Sequence, residues 1–289
     1  MIHSKFIGTG CAIITPFNDD KTIDFASLEK LAHHLIQNGV DYLVFLGTTA
    51  ESATLTSPEK NQILDFAVEK FGEKIPIVAG FGGNDTAAII ENIKSRDFEG
   101  IDAILCVSPY YNKPSQRGII AHYTEIADNS PVPLILYNVP GRTSSNMTAE
   151  TTLTLAKHKN IMAIKEASGN LGQIMEIIKH KPDDFLVISG DDALTYPMIC
   201  LGGNGVISVV AMAEPQKMSD MVRYAIKGNF NQAKRLHYEI LDITKAIFED
   251  GNPAGIKAAL HLKNFIKYNL RLPLVQVNDK VYDKIKKLV

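Results

Sequence analysis

Eight short, uninterrupted apolar runs succeed one another through the first 210 residues, at spacings of roughly 20 to 35 residues. They are Cys11–Ile14, Tyr42–Leu46, Ile75–Ala79, Ala103–Val107, Leu134–Tyr137, Ile161–Ile164, Phe185–Ile188 and Gly205–Val210. A strand with one wet face alternates apolar and polar residues; runs apolar throughout fit parallel strands covered on both faces. Helix-like stretches lie between them. Thr56 to Gly72 has a capping Thr56, Pro58 in the first turn, Ile63, Phe66, Ala67 and Val68 on a helical period, and a closing glycine. Asp24 to Gly39 and Asp85 to Arg96 repeat the pattern, with Leu28, Leu31, Leu35 and Ile36 on one face of the first and Ala88, Ile89 and Ile93 on one face of the second. Eight such units close a sheet without edges, which predicts an α/β fold of the (β/α)8 TIM-barrel type. An open doubly wound sheet is the competing arrangement. Beyond residue 213 the strands stop and helical stretches follow: Pro215 to Gly228, Asn231 to Glu249, Pro253 to Tyr268, then a polar tail. The expected organisation is a barrel over residues 1–213 with C-terminal helices over 214–289, in one folded unit, since no linker composition separates them.

In such a barrel the chemistry collects where strands end and βα loops begin. Polar residues follow the apolar runs there: Gly47-Thr48-Thr49-Ala50-Glu51-Ser52, Ser108-Pro109-Tyr110-Tyr111-Asn112, Tyr137-Asn138-Val139-Pro140-Gly141-Arg142, Lys165-Glu166 and Ser189-Gly190-Asp191-Asp192. Lys165 directly follows an apolar run. Burying its ammonium disfavours the charged form, so a neutral nucleophilic amine becomes available near neutral pH to form a Schiff base with a carbonyl compound. Tyr137, at the end of the preceding run, can carry protons between that amine and a substrate oxygen. Thr48 and Thr49 can join the relay or offer backbone N–H groups to a carboxylate, and Arg142 offers a bidentate grip on a second carboxylate. Gly47 and Gly190 let backbone approach a ligand closely. Singly, each has a plainer reading: Lys165 an ion pair with Glu166, Tyr137 a half-buried aromatic, Thr48-Thr49 a cap, Arg142 a solvated loop charge. Convergence on one barrel rim favours the carbonyl-amine site.

Other chemistries find little support. A net charge of -2 and a pI near 6.4, without a Lys/Arg run, argue against nucleic acid. No stretch of about 18 apolar residues could span a bilayer, and the opening Met1-Ile2-His3-Ser4-Lys5-Phe6 lacks a signal-peptide core, so a cytoplasmic protein is expected. Cys11, Cys106 and Cys200 are scattered in apolar surroundings and read as small buried hydrophobes. The eight histidines, His33-His34 among them, form no ligand spacing, so no metal is expected. Gly80-Phe81-Gly82-Gly83-Asn84 completes no nucleotide-binding motif and reads as a tight turn, and Asp191-Asp192 reads as a helix N-cap before an ion site. No cofactor is implied.

Three segments resemble the pyruvate-dependent class I aldolase family that includes dihydrodipicolinate synthase and N-acetylneuraminate lyase. Gly47–Ser52 is similar to its GTTGE segment, Tyr137–Arg142 to its YNxPGR segment and Ile164–Ser168 to its Schiff-base segment, in the family's order along the chain. The Thr48-Thr49 pair and Arg142 resemble the synthase branch. What this resemblance implies is a lyase condensing pyruvate with aspartate 4-semialdehyde in lysine and diaminopimelate biosynthesis. Lys165 would form the imine, and Tyr137, Thr49 and Tyr111 the proton relay, with Tyr111 reaching into a neighbouring subunit's site. Thr48 and Thr49 would hold the pyruvate carboxylate and Arg142 that of the aldehyde, while Gly190 and Ile207 supply backbone contacts near the lysine. The resemblance also implies a homo-oligomer, commonly a tetramer. A sibling aldolase with another aldehyde, or a non-catalytic acid-binding barrel, are the competing functions. Two departures stand out: Ala50 replaces the usual glycine, and Ala88, beside Asn84 and Ser57, stands where lysine-inhibited members carry a glutamate, which implies weak or absent feedback inhibition.

Overall fold

The computed structural model describes residues 2–289; Met1 lies outside the described residues. Eight parallel strands close into one barrel in sequence order: β1 (Gly8–Ala12), β2 (Tyr42–Phe45), β3 (Ile77–Gly80), β4 (Ala103–Val107), β5 (Leu134–Asn138), β6 (Ile161–Glu166), β7 (Leu186–Ser189) and β8 (Gly205–Ser208). β1 pairs with β8 from Gly8↔Gly205 to Cys11↔Ser208, which shuts the sheet and removes both edges. The first strand starts three residues earlier than the apolar run Cys11–Ile14 predicts. Its glycines and Thr9 carry no apolar signature, and the space over Gly10 is taken by the Tyr42 ring, which a Cβ there would meet at 2.2 Å.

The helix punctuation acts as expected. Asp24 caps Phe25–Gln37, Asp85 caps Thr86–Lys94, and Thr56 and Glu59 form a reciprocal capping box on Ser57–Phe71. Strand side chains alternate between two apolar clusters. One fills the barrel, with Val44, Val78, Leu105, Ile135, Tyr137, Ala163, Ile188 and Ile207; the other lies between barrel and helices, with Leu43, Ile77, Ile104, Leu136, Ile164 and Val187. β6 breaks the alternation once: Leu134 pairs Ile161 but Ile135 pairs Ala163, so Met162 is an extra residue. That bulge shifts the inward phase by one position. Beyond it Ala163 points in, Ile164 out, and Lys165 in, toward the same lumen as Tyr137.

Four C-terminal helices follow: Pro215–Ile226, Phe230–Glu249, Ala254–Leu262 and Asp279–Lys286. The third ends six residues before the expected Tyr268, just ahead of Asn264, whose backbone is left-handed (φ 60°). The tail expected to be merely polar contains the fourth helix, capped by Asn278 and burying Val281 and Ile285 one turn apart. Their apolar side chains, among them Met218, Ile247, Ile256 and Ile285, join the outer barrel core. Among the described residues no helix is long and apolar enough to cross a membrane.

Candidate active site

Lys165 and Tyr137 face each other across the β5–β6 ladder as register partners. Lys165 is 5% exposed, Tyr137 7%, and the amine stands 4.3 Å from the centre of the phenol ring. Burial pushes the Lys165 ammonium down to about 8; the nearby Arg142 guanidinium pushes the same way, and the Asp192 carboxylate and Cys11 oppose it. Burial likewise raises the Tyr137 phenol to about 12, against Arg142, which keeps it a proton-bearing group. The plainer reading of Lys165 as an ion pair with Glu166 does not hold. Neighbouring residues on a strand point to opposite faces, and the Glu166 carboxylate turns outward to accept from Asn138 Nδ2, Gln173 Nε2 and the Ser168 amide. Among the described residues no carboxylate lies within ion-pair distance of Lys165 Nζ, and a lysine buried without one is unusual.

The other expected residues gather at different depths. Gly190 lies against the lysine stem: a Cβ there would meet Lys165 Cγ and Cε, each at 3.0 Å, and Ala167 Cβ at 2.8 Å. Ile207, 1% exposed, belongs to the lumen wall. After β2, Leu46 takes a left-handed backbone and a 3-10 turn spans Thr48–Ala50, leaving Thr49 buried and Thr48 exposed. Ala50 keeps a negative φ, so its side chain brings no backbone strain at the family's glycine position. Arg142, in the turn Pro140–Thr143, is exposed but directs its charge at both Lys165 and Tyr137. Tyr111 stands outside this cluster, 89% exposed on a left-handed backbone (φ 72°).

Sequence reading missed one residue that organises the site, Asn252, and misassigned another, Asp192. Asn252, ahead of Ala254–Leu262, donates from Nδ2 to Thr49 Oγ1 (2.9 Å) and accepts from Arg142 Nη2 through its carbonyl (3.2 Å). Its buried Oδ1 has no partner among the described residues. Asp192 is not the N-cap; Asp191 is, accepting from the Ala193 amide. Asp192 is buried and accepts from Ser208 Oγ (2.5 Å) and the Val209 and Val210 amides, tying the loop after β7 to the end of β8. Cys11 and Cys106 are buried thiols held well above the usual range by burial, Cys106 at about 12, whereas Cys200 is exposed, contrary to the expectation of burial. Desolvated thiols of this kind are poor nucleophiles. Among the described residues no group of three or more His, Cys, Asp or Glu side chains is placed to hold a metal ion.

A closed parallel barrel with a buried lysine, free of a carboxylate among the described residues, at the end of β6 and a phenol in register beside it fits the imine-forming class of TIM-barrel enzyme. The profile of the dihydrodipicolinate synthetase family matches residues 5–289, and the chain belongs to that family. It is 51% identical to the 4-hydroxy-tetrahydrodipicolinate synthase of Parabacteroides distasonis over 98% of this chain and 95% of that protein. The chloride-inhibited dihydrodipicolinate synthase from Acinetobacter baumannii, solved with pyruvate, superposes with a TM-score of 0.95 at 38% identity, covering 98% of this chain and 97% of that one. The enzyme from Cyanidioschyzon merolae, solved with lysine bound, gives 0.94 at 41% identity, covering 98% and 97%.

Proposed function

We propose that this barrel condenses pyruvate with L-aspartate 4-semialdehyde to 4-hydroxy-tetrahydrodipicolinate through an imine on Lys165. The observation that carries the reading is the buried Lys165 amine, free of a carboxylate partner and 4.3 Å from the Tyr137 ring centre. The neutral amine adds to the keto carbon of pyruvate, and Tyr137 delivers a proton to the carbinolamine oxygen, which leaves as water. Loss of a methyl proton from the imine gives the enamine, whose carbon attacks the aldehyde. The substrate's own amine then adds to the imine carbon, closing the ring and releasing Lys165.

Thr49 joins Tyr137 in the relay, which the buried position of Thr49 and its bond from Asn252 support. The Thr48–Thr49 turn holds the pyruvate carboxylate, and Gly190 and Ile207 offer backbone beside the amine. Arg142, one side of its guanidinium braced by Asn252, holds the carboxylate of the semialdehyde. Tyr111 completes the relay of a neighbouring subunit within a homotetramer built as a dimer of dimers; its exposure and left-handed backbone suit a residue aimed outward. Barrel and C-terminal helices act as one folded unit in the cytoplasm, with no cofactor. Ala88 and Ser57, both exposed, leave the effector position without a carboxylate, so lysine is a weak effector or none.

The test mixes the protein with both substrates and dihydrodipicolinate reductase and follows NADPH oxidation. Oxidation that needs both substrates, together with borohydride-trapped pyruvate on Lys165 that vanishes in Lys165→Ala, is the expected result. Trapped pyruvate without oxidation would assign the chain to a sibling aldolase, and no trapping by the folded protein would overturn the reading.

A further inference from the structure

Besides Lys165, a second lysine is buried in this molecule and takes no part in the steps above: Lys257, 0% exposed, in the helix Ala254–Leu262. Its ammonium binds Glu51 Oε1 in a contact whose side chains are both sealed from solvent, and donates to the Asn269 carbonyl at 3.0 Å. It also lies 4.3 Å from the centre of the Phe17 ring, with the Arg271 guanidinium 4.6 Å from the same centre. The second oxygen of Glu51 accepts from the Arg271 amide (2.9 Å). Both oxygens of one buried carboxylate are thus gripped by the C-terminal region.

Glu51 is placed where such a grip matters. It ends the 3-10 turn that carries Thr48 and Thr49, its amide donates to the Thr48 carbonyl (3.1 Å), and its backbone is left-handed (φ 55°). A non-glycine residue persists in that region only where its surroundings over-determine it. A buried ion pair is a poor source of stability, since apolar replacements of similar size commonly serve as well, but its directed bonds fix position.

We infer that the Glu51–Lys257 pair is a positioning device: it holds the Thr48–Thr49 turn against the barrel rim so that the turn can receive a carboxylate. The inference rests on the assignment of that turn to the pyruvate carboxylate. The pair touches no reacting atom; it acts through Thr48 and Thr49.

The paired apolar replacement Glu51→Leu/Lys257→Met separates positioning from stability. Its melting temperature should stay close to that of the wild type, while KM for pyruvate rises about tenfold or more, since misplacing a binding group by a fraction of an ångström carries such penalties. Borohydride trapping on Lys165 at saturating pyruvate should continue, because that lysine stands on β6. The paired amide variant Glu51→Gln/Lys257→Gln, which retains a side-chain hydrogen bond, should recover most of the lost affinity. Lys257→Met alone, in which Glu51 keeps the Arg271 amide, is the second arm should the apolar pair not fold, and should raise KM in the same direction. A folded apolar pair, or a folded Lys257→Met, with wild-type KM for pyruvate would overturn the inference. If instead the wild type traps no pyruvate, it is the imine reading that fails, so the two failures are distinguishable.

Discussion

Replacing Gly190 with alanine adds one methyl group against the stem of Lys165, on which the imine is proposed to form. Gly190 does not occupy the left-handed region, so alanine meets no backbone penalty there and the effect is steric alone. The new Cβ would lie 2.8 Å from Ala167 Cβ and 3.0 Å from both Lys165 Cγ and Cε. Carbon atoms settle at about 3.5–4.0 Å, so the lysine stem must retreat by roughly half an ångström and Ala167 by slightly more. Overpacking of this kind costs about 1–3 kcal/mol, which lowers the melting temperature of a chain this size by about 2–4 °C per kcal/mol. A full ångström of misplacement costs on the order of 100-fold in rate, so roughly a tenfold loss of kcat is expected here. Coupled NADPH oxidation gives kcat, the time course of borohydride inactivation gives the rate of imine formation, and calorimetry gives the stability. Both rates should fall together, since the displaced group is the amine itself. A variant with unchanged imine formation would refute the placement of Gly190 against the lysine.

Four further outcomes are expected. With the Lys165 ammonium lowered to about 8, roughly one tenth of the amine is neutral at pH 7 against about one part in 3,000 at its ordinary value, so kcat/KM for pyruvate should rise with pH along a limb near 8. Asp192→Asn removes a carboxylate that favours the ammonium and should move that limb to lower pH; an upward shift in the pH profile would contradict the electrostatic role. His122, bonded to Thr86 and buried, is pushed down to about 4 by burial, so the unfolded chain takes up a proton from about pH 6.5 downward while the folded one resists until about 4. Stability should therefore fall by up to about 3 kcal/mol across that window and not above it; denaturant melts of His122→Gln should lack this slope. Initial rates should be unaffected by sub-millimolar lysine, because Ala88 presents no carboxylate; clear inhibition would overturn the proposal of weak or absent feedback.

The alternation of runs and helices and the buried Lys165–Tyr137 pair were legible because each has a local signature: continuous apolar strands, aspartate and threonine caps, and a lysine where a hydrophobe should be. What escaped depends on contacts far apart in sequence. β1 was misplaced by three residues because Gly8 and Gly10 are selected by neighbours, Asp41 and the Tyr42 ring, and not by strand propensity. The bulge at Met162 sets which way Lys165 points, yet Met162 is one apolar residue among several and signals nothing by itself. Asn252 precedes a proline in what reads as helix-start punctuation; only folding brings it 203 residues back to Thr49. Asp192 is adjacent to the true cap, Asp191, and its bonds to the end of β8 are invisible until the barrel closes. The amphipathic tail helix, with just Val281 and Ile285 buried, offers too few apolar positions to stand out from a polar segment.

The ladder pairing of Tyr137 with Lys165 has an evolutionary implication. Lys165 and Tyr137 are spaced by main-chain hydrogen bonds between two adjacent strands, so no loop insertion can change the distance between them. Arg142 and Asn252, by contrast, stand on connecting segments outside the ladder, where no strand pairing fixes their position. A lineage could therefore exchange the second reactant, one carboxylated aldehyde for another electrophile, by rewriting the Arg142 turn, provided that Asn252 keeps its bond to Thr49.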